Sequence, residues 1–188
     1  MAKELAEKEK LLMEIMKEVE NCKRCHLHKK RKKAVFGDGN PSSKLMIIGE
    51  APGKEEDENG IPFVGRAGKL LRKLLREAGL EEFYITNVVK CRPPGNRTPL
   101  KEEIESCLPF LERQIAILKP EIILVLGNTA LKALTGESHK LTEVRGRMLE
   151  TSQNLIYPSF HPSFALRNKK AKESLAEDIK SLFNYLKK

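Results

Sequence analysis

Two short runs, Lys44 to Ile48 and Ile122 to Leu126, most constrain what this chain can become. Each is too short for a helix and nearly unbroken in its apolar character, so each reads as a buried strand. Amphipathic segments lie before, between and after them. Residues 3–20 place Leu5, Leu12, Ile15, Met16 and Val19 on one helical face. Arg66 to Ala78 turns Leu70, Leu71, Leu74 and Leu75 inward, with Gly79 as a C-terminal stop. Phe83 to Val89 is a further strand, followed by a Pro/Gly loop from Cys91 to Arg97. Thr98 and Pro99 are expected as N-cap and N1 of a helix running to about Leu118, which Pro120 ends. Asn128 to Leu134 reads as a short helix. Val144 to Leu149 and Asn154 to Tyr157 are further strand candidates, and a last amphipathic helix carries Leu175, Ile179, Leu182, Phe183 and Leu186. Alternating strands and helices indicate an α/β domain with a mostly parallel central sheet. At 188 residues a single domain is expected. No apolar run approaches the roughly 18 residues that a membrane span needs.

In such a sheet, ligands bind beyond the carboxyl ends of the strands. Three groups fall there. Gly49-Glu50-Ala51-Pro52-Gly53 turns sharply out of a strand and leaves Glu50 at its mouth. Asn87 interrupts an apolar strand end with a carboxamide that can both donate and accept. His161, in His161-Pro162-Ser163, could donate a hydrogen bond to a developing oxyanion. Gly49 to Gly65 is a long loop, a length uncommon unless functional, and Phe63 within it is either an aromatic platform or a core anchor.

The four cysteines are unevenly placed: Cys22 and Cys25 in a C-x-x-C, then Cys91 and Cys107 far downstream. Four thiolates closed by tertiary folding suit tetrahedral zinc or an iron–sulfur cluster. Disulfides are the alternative, but no signal-like apolar stretch precedes the cysteines. Lys and Arg exceed Asp and Glu by nine, which favours a polyanionic partner. The Lys29–Lys33 run reads as solvated surface unless a nucleic-acid site adjoins it. Charged residues reach 32%, rich in Lys and Glu, with Gln only at Gln114 and Gln153, a composition that points to a thermophile.

Together these motifs resemble the family 4 uracil-DNA glycosylases. Gly49-Glu50-Ala51-Pro52-Gly53 with Glu55-Glu56-Asp57 is similar to the family's first motif. Pro62-Phe63-Val64-Gly65-Arg66-Ala67-Gly68, Thr86-Asn87-Val88-Val89-Lys90-Cys91-Arg92-Pro93-Pro94 and His161-Pro162-Ser163 follow in its order. The C-x2-C…C-x15-C spacing is similar to that holding the family's [4Fe-4S] cluster. The resemblance implies a three-layer α/β/α fold with a central, mostly parallel four-stranded sheet. The first 33 residues would be stapled to it by the cluster on Cys22, Cys25, Cys91 and Cys107.

It further implies a repair enzyme that flips uracil from DNA and hydrolyses its N-glycosidic bond. Phe63 would stack on uracil and Asn87 would read N3–H and O4. Glu56 would leave no room for a methyl at C5, and His161 would stabilise the leaving anion at O2. Backbone amides around Gly49 to Ala51 would contact the base, with Glu50 beside the sugar. Pro162, Ser163, Phe164, Ala165, Leu166 and Arg167 would approach the DNA. Glu50 could orient water, oppose cationic charge on the sugar, or both. Ser138 to Arg145 shows no clear match to the insertion of relatives that trap DNA covalently, so turnover is expected. Partners would be uracil-containing DNA, double- or single-stranded, with a sliding clamp as a candidate but no evident motif for one. The implied protein is a cytoplasmic, prokaryotic monomer with no membrane association, acting on chromosomal DNA.

Two other readings are open. A non-catalytic, metal-stapled module binding damaged or single-stranded DNA explains the cysteines and charge, but not the joint presence of Glu50, Phe63, Asn87 and His161. A zinc protein using Cys22, Cys25, His26 or His28 leaves Cys91 and Cys107 without a role.

Overall fold

The computed structural model describes residues 2–151 and 154–187; Met1, Ser152, Gln153 and Lys188 lie outside them. The chain runs through α1 (Ala2–Glu20), a single 3-10 turn (His26–Lys29), β1 (Asp38–Gly39), β2 (Leu45–Gly49), α2 (Lys54–Asn59), α3 (Arg66–Glu77) and β3 (Tyr84–Asn87). After a 3-10 turn at Pro94–Asn96 come α4 (Lys101–Leu118), β4 (Ile122–Leu126), α5 (Asn128–Thr135), α6 (Leu141–Val144), β5 (Leu149–Glu150), β6 (Leu155–Ser159), α7 (Pro162–Ala165) and α8 (Lys169–Leu186).

The sheet has the order β1-β3-β2-β4-β6-β5. Its four central strands are parallel, and the two-residue strands β1 and β5 pair antiparallel at the edges. The expected four-stranded parallel sheet is therefore the centre of a six-stranded mixed one. Because side chains alternate across a strand, Met46 and Ile48 of β2 join α1, α4 and α5 in one core, while Leu45 and Ile47 join α3 and α8 in the other. Helices on both faces complete three layers.

Several boundaries depart from the sequence reading. The strand expected over Val144–Leu149 is instead the helical turn α6 followed by β5, and α2 and α7 lie inside segments read as loops. Helix α4 starts at Lys101, not after Thr98. Glu103 sets that start, with its carboxylate accepting from Leu100 N at 2.8 Å and holding Arg97 through both oxygens at 2.7 and 2.9 Å. A carboxylate in the first turn also suits the positive end of the helix dipole. Among the described residues no helix is long and apolar enough to cross a membrane.

The register fixes the site. Gly49 pairs with Asn87 and Leu126 with Ser159, so β2, β3, β4 and β6 end along one rim. Pairing continues past the strand ends, since Val88 N donates to Gly49 O at 2.9 Å and Val89 N to Glu50 O at 3.1 Å.

Candidate active site

An open cleft of about 780 Å³ lies along that rim. Glu50, Ala51, Glu56, Phe63, Asn87 and His161 all line it, as do Ser163, Phe164 and Arg167. The side chains that the sequence reading assigned to base binding thus line one cleft. Gly49 explains how closely they pack: a Cβ there would lie 2.5 Å from both Asn87 Oδ1 and Phe63 Cζ. Only a residue without a side chain lets carboxamide and ring both crowd in over the end of β2.

Asn87 is 2% exposed, and its Oδ1 is buried without a hydrogen-bond partner. A buried acceptor left open is costly, on the order of 1–3 kcal/mol, unless a ligand donates to it.

Phe63 holds a left-handed backbone, φ +54°, unusual for a bulky residue. Its surroundings enforce that conformation. Arg72 of α3 donates Nε to Phe63 O and a guanidinium N–H to Pro62 O, both at 3.1 Å. Glu56 Oε1 accepts from Val64 N at 3.0 Å and Gly65 N at 2.8 Å, and Oε2 accepts from Gly53 N at 3.1 Å. A Cβ on Gly68 would fall 2.0 Å from Phe63 O, so helix and loop touch through a glycine. Both oxygens of Glu56 are thus engaged in shaping the loop that presents Phe63.

His161 faces Phe63, with ring centroids 6.1 Å apart. Burial pushes its pKa down to about 4, against a smaller opposing pull from Glu56, so the ring is neutral at ordinary pH. Its Nδ1 accepts from Ser163 N at 3.1 Å. An accepting Nδ1 puts the proton on Nε2, giving a neutral ring with one donor. The loop before it is braced from α8. Asp178 accepts from Ser159 Oγ at 2.6 Å and from Arg145 at 2.7 and 3.0 Å, and the Arg145 guanidinium sits 5.4 Å above the Phe160 ring.

The residues expected to face DNA divide. Phe164 and Leu166 are 44% and 41% exposed and Arg167 is exposed, while Ser163 is half-buried. The side chains of Pro162 and Ala165 are buried, Ala165 against the α3–α8 core, and anchor the turn. Arg97 and Lys140 add positive charge farther along the cleft.

All four cysteines line a second, small pocket, on the α1–α4 side of the sheet. They are free thiols, so the disulfide alternative is not formed. Among the described residues, no three His, Cys, Asp or Glu side chains are grouped to hold a single metal ion. Burial raises the Cys25, Cys91 and Cys107 thiols, the last to about 11, while Arg31 opposes this at Cys91 and Lys90 at Cys107. Arg31 also donates to Cys91 Sγ at 3.1 Å.

Sequence reasoning gave no role of their own to Arg72, Gly68 or the Arg145–Asp178 brace. Gly68 carried a signal, standing inside an otherwise helical pattern; the others read as ordinary surface charge.

An α/β/α sandwich with a glycine-lined turn, a carboxamide and a neutral histidine on one rim defines the class, and residues 36–187 match the uracil DNA glycosylase superfamily. The chain is 46% identical over 184 residues to a type-4 uracil-DNA glycosylase of Thermotoga maritima, covering 94% of this chain and 96% of that one. It is 44% identical to the type-4 enzyme of Sulfurisphaera tokodaii, covering 91% of this chain and 83% of the relative. A Pyrobaculum aerophilum type-4 enzyme is also 44% identical, with 88% and 89% covered. The chain belongs to the type-4 uracil-DNA glycosylase family.

Proposed function

We propose that this chain excises uracil from DNA, double- or single-stranded, by hydrolysing the N-glycosidic bond and leaving an abasic site. Its place would be base excision repair of deaminated cytosine in chromosomal DNA. The observation that carries the reading is the unpartnered Asn87 Oδ1 above Gly49, in the cleft that Phe63 and His161 also line. An acceptor there takes uracil N3–H while the carboxamide NH₂ donates to O4. Cytosine presents the opposite pattern, an acceptor at N3 and a donor at C4, and is refused. Phe63 stacks on the flipped base, whose extrusion costs a few kcal/mol, least from a mispair or single strand.

Bond cleavage leaves positive charge on the deoxyribose and negative charge on uracil. Glu50 opposes the first and orients water. His161 Nε2–H donates to O2 and opposes the second, and a neutral donor there does not surrender its proton prematurely. Backbone amides around Gly49 to Ala51 contact the base. Glu56 closes the C5 side against thymine while holding the Phe63 loop. Ser163, Phe164, Leu166 and Arg167 meet the strand, and the net charge of +9 supplies phosphate affinity.

Cys22, Cys25, Cys91 and Cys107 are read as the ligands of a [4Fe-4S] cluster. The four thiols line one small pocket, a donor set that fits an iron–sulfur cluster. Such a cluster supplies iron–thiolate bonds that tie the segment after α1 to β3 and α4. Hydrolysis balances without electrons, since the C–N bond breaks as a C–O bond to water forms.

Asn87→Ala tests the reading. Excision should fall far more than affinity for uracil-free duplex, because base readout is lost and phosphate contacts stay. Parallel losses in both would contradict the base-reading role.

A further inference from the structure

Behind the cleft, on the side away from solvent, lies a polar network centred on Lys90. Lys90, Thr86 and Gln114 are each 0% exposed. The Lys90 ammonium donates to Thr86 Oγ1 at 2.7 Å, to the main-chain oxygen of Asn87 at 2.8 Å and to Gln114 Oε1 at 2.5 Å. Three acceptors match the three N–H bonds of an ammonium. The outer members are satisfied in turn. Thr86 Oγ1 donates to Phe36 O at 2.7 Å, and Gln114 Nε2 donates to Phe36 O at 3.1 Å and to the Tyr84 hydroxyl at 3.3 Å. No carboxylate takes part. Burial pushes the Lys90 amine down to about 7, and holding it charged this deep among neutral acceptors is costly, so its placement calls for a gain elsewhere.

That gain lies in one peptide plane. The Asn87–Val88 peptide has its carbonyl held by Lys90 and its N–H held by Gly49 O at 2.9 Å. With both edges pinned the plane cannot rotate, and the Asn87 carboxamide is aimed by the backbone beneath it. The same lysine touches the cysteine cage. Its own N–H donates to Cys107 Sγ at 3.3 Å, its carbonyl accepts from Val35 N at 2.8 Å, and the next residue is Cys91. Uracil site and cage are therefore joined through a single residue.

We propose that Lys90 is a positioning residue for uracil recognition, its ammonium fixing the main chain of Asn87 and its backbone tying that strand end to the cysteine cage. The proposal rests on the base-reading role of Asn87 given above.

Lys90→Met keeps an unbranched side chain, one atom shorter, and removes its donors. In protein matched to wild type for iron content and folded fraction, single-turnover excision should fall by about tenfold or more, as misplacement of a recognising group does. Affinity for a duplex carrying a tetrahydrofuran abasic analogue should change by less than about threefold, because phosphate contacts are untouched. Hydrogen exchange of the Val88 N–H should quicken by about tenfold, reporting the loosened plane without reference to activity. Combining Lys90→Met with Asn87→Ala should add no further loss to that of Asn87→Ala alone. Thr86→Val, which removes one acceptor and keeps the ammonium, should show the same pattern in smaller measure, and it decides the matter if Lys90→Met does not fold. Wild-type excision and Val88 exchange in the folded variant would overturn the positioning role, as would a loss that adds in full to that of Asn87→Ala. If Asn87→Ala itself excises uracil normally, the base-reading assignment fails first and this inference with it.

Discussion

Replacing Gly49 with alanine is the sharpest probe of the base site, because the backbone there has no left-handed φ and the added methyl group acts through contact alone. That methyl carbon would sit 2.5 Å from Asn87 Oδ1, 2.5 Å from Phe63 Cζ and 3.1 Å from Phe63 Cε2. Ordinary contacts lie at about 3.5–4.0 Å, so the neighbours must retreat by about 1 Å. Neither is free to do so. Phe63 is fixed by Arg72 and by the approach of Gly68, and the Asn87 peptide is pinned between Lys90 and Gly49 itself. Overpacking of this kind costs about 1–3 kcal/mol, which at this chain length lowers the unfolding midpoint by about 2–12 °C. A shift of about 1 Å in base-recognising groups lowers excision by about a hundredfold. The assays are single-turnover cleavage of a uracil-containing duplex, thermal unfolding, and affinity for uracil-free DNA. The affinity should hold. Wild-type excision and stability in Gly49→Ala would refute the claim that carboxamide and ring leave no room for a methyl group over Gly49.

Three further outcomes follow from particular contacts. Glu56→Gln sets an NH₂ group against at least one of the three amides now bonded to the carboxylate, and should destabilise by about 1–3 kcal/mol in thermal unfolding. Glu56→Gly should relax discrimination against thymine, and unchanged rejection of a thymine-containing duplex would sink that role. His161 has a folded pKa near 4, below its ordinary value of 6.5, so its contribution to stability is complete above 6.5 and is lost as pH falls toward 4. Excision should accordingly show no His161-dependent inflection near 6.5; one that disappears in His161→Asn would contradict the neutral ring. Cys91→Ser should lower iron content and the unfolding midpoint first, with excision falling as a consequence. A stable, iron-replete but inactive Cys91→Ser would contradict a structural cage.

How much was legible in the sequence follows from which interactions are local. Strands β2 and β4 stand out because both faces are buried and their residues are apolar throughout. Helix α2, Lys-Glu-Glu-Asp-Glu-Asn, has almost no apolar face to announce it; only Asp57 is buried. Strands β1 and β5, two residues each, exist only through their pairing partners. Thr98 and Pro99 look like the cap of α4, yet the helix starts at Lys101. The cap that forms depends on a buried glutamate whose partner Arg97 lies outside the helix.

In the site, Glu50, Phe63, Asn87 and His161 could be named because each breaks its local pattern. Their supports could not. Arg72 and Arg145 look like surface cations, and Phe63's backbone angle is imposed by contacts from α3 and Glu56. Lys90 did break a pattern, a charge between Val89 and Cys91 at a buried strand end, yet only the structure reveals what it holds.

The most direct test is incubation of protein shown to carry its iron with a uracil-containing oligonucleotide, followed by alkaline cleavage at any abasic site. Strand scission at uracil, and none where thymine or cytosine replaces it, is the expected result. Absence of product at uracil from such a preparation would contradict excision and leave a protein that binds DNA without cutting the glycosidic bond.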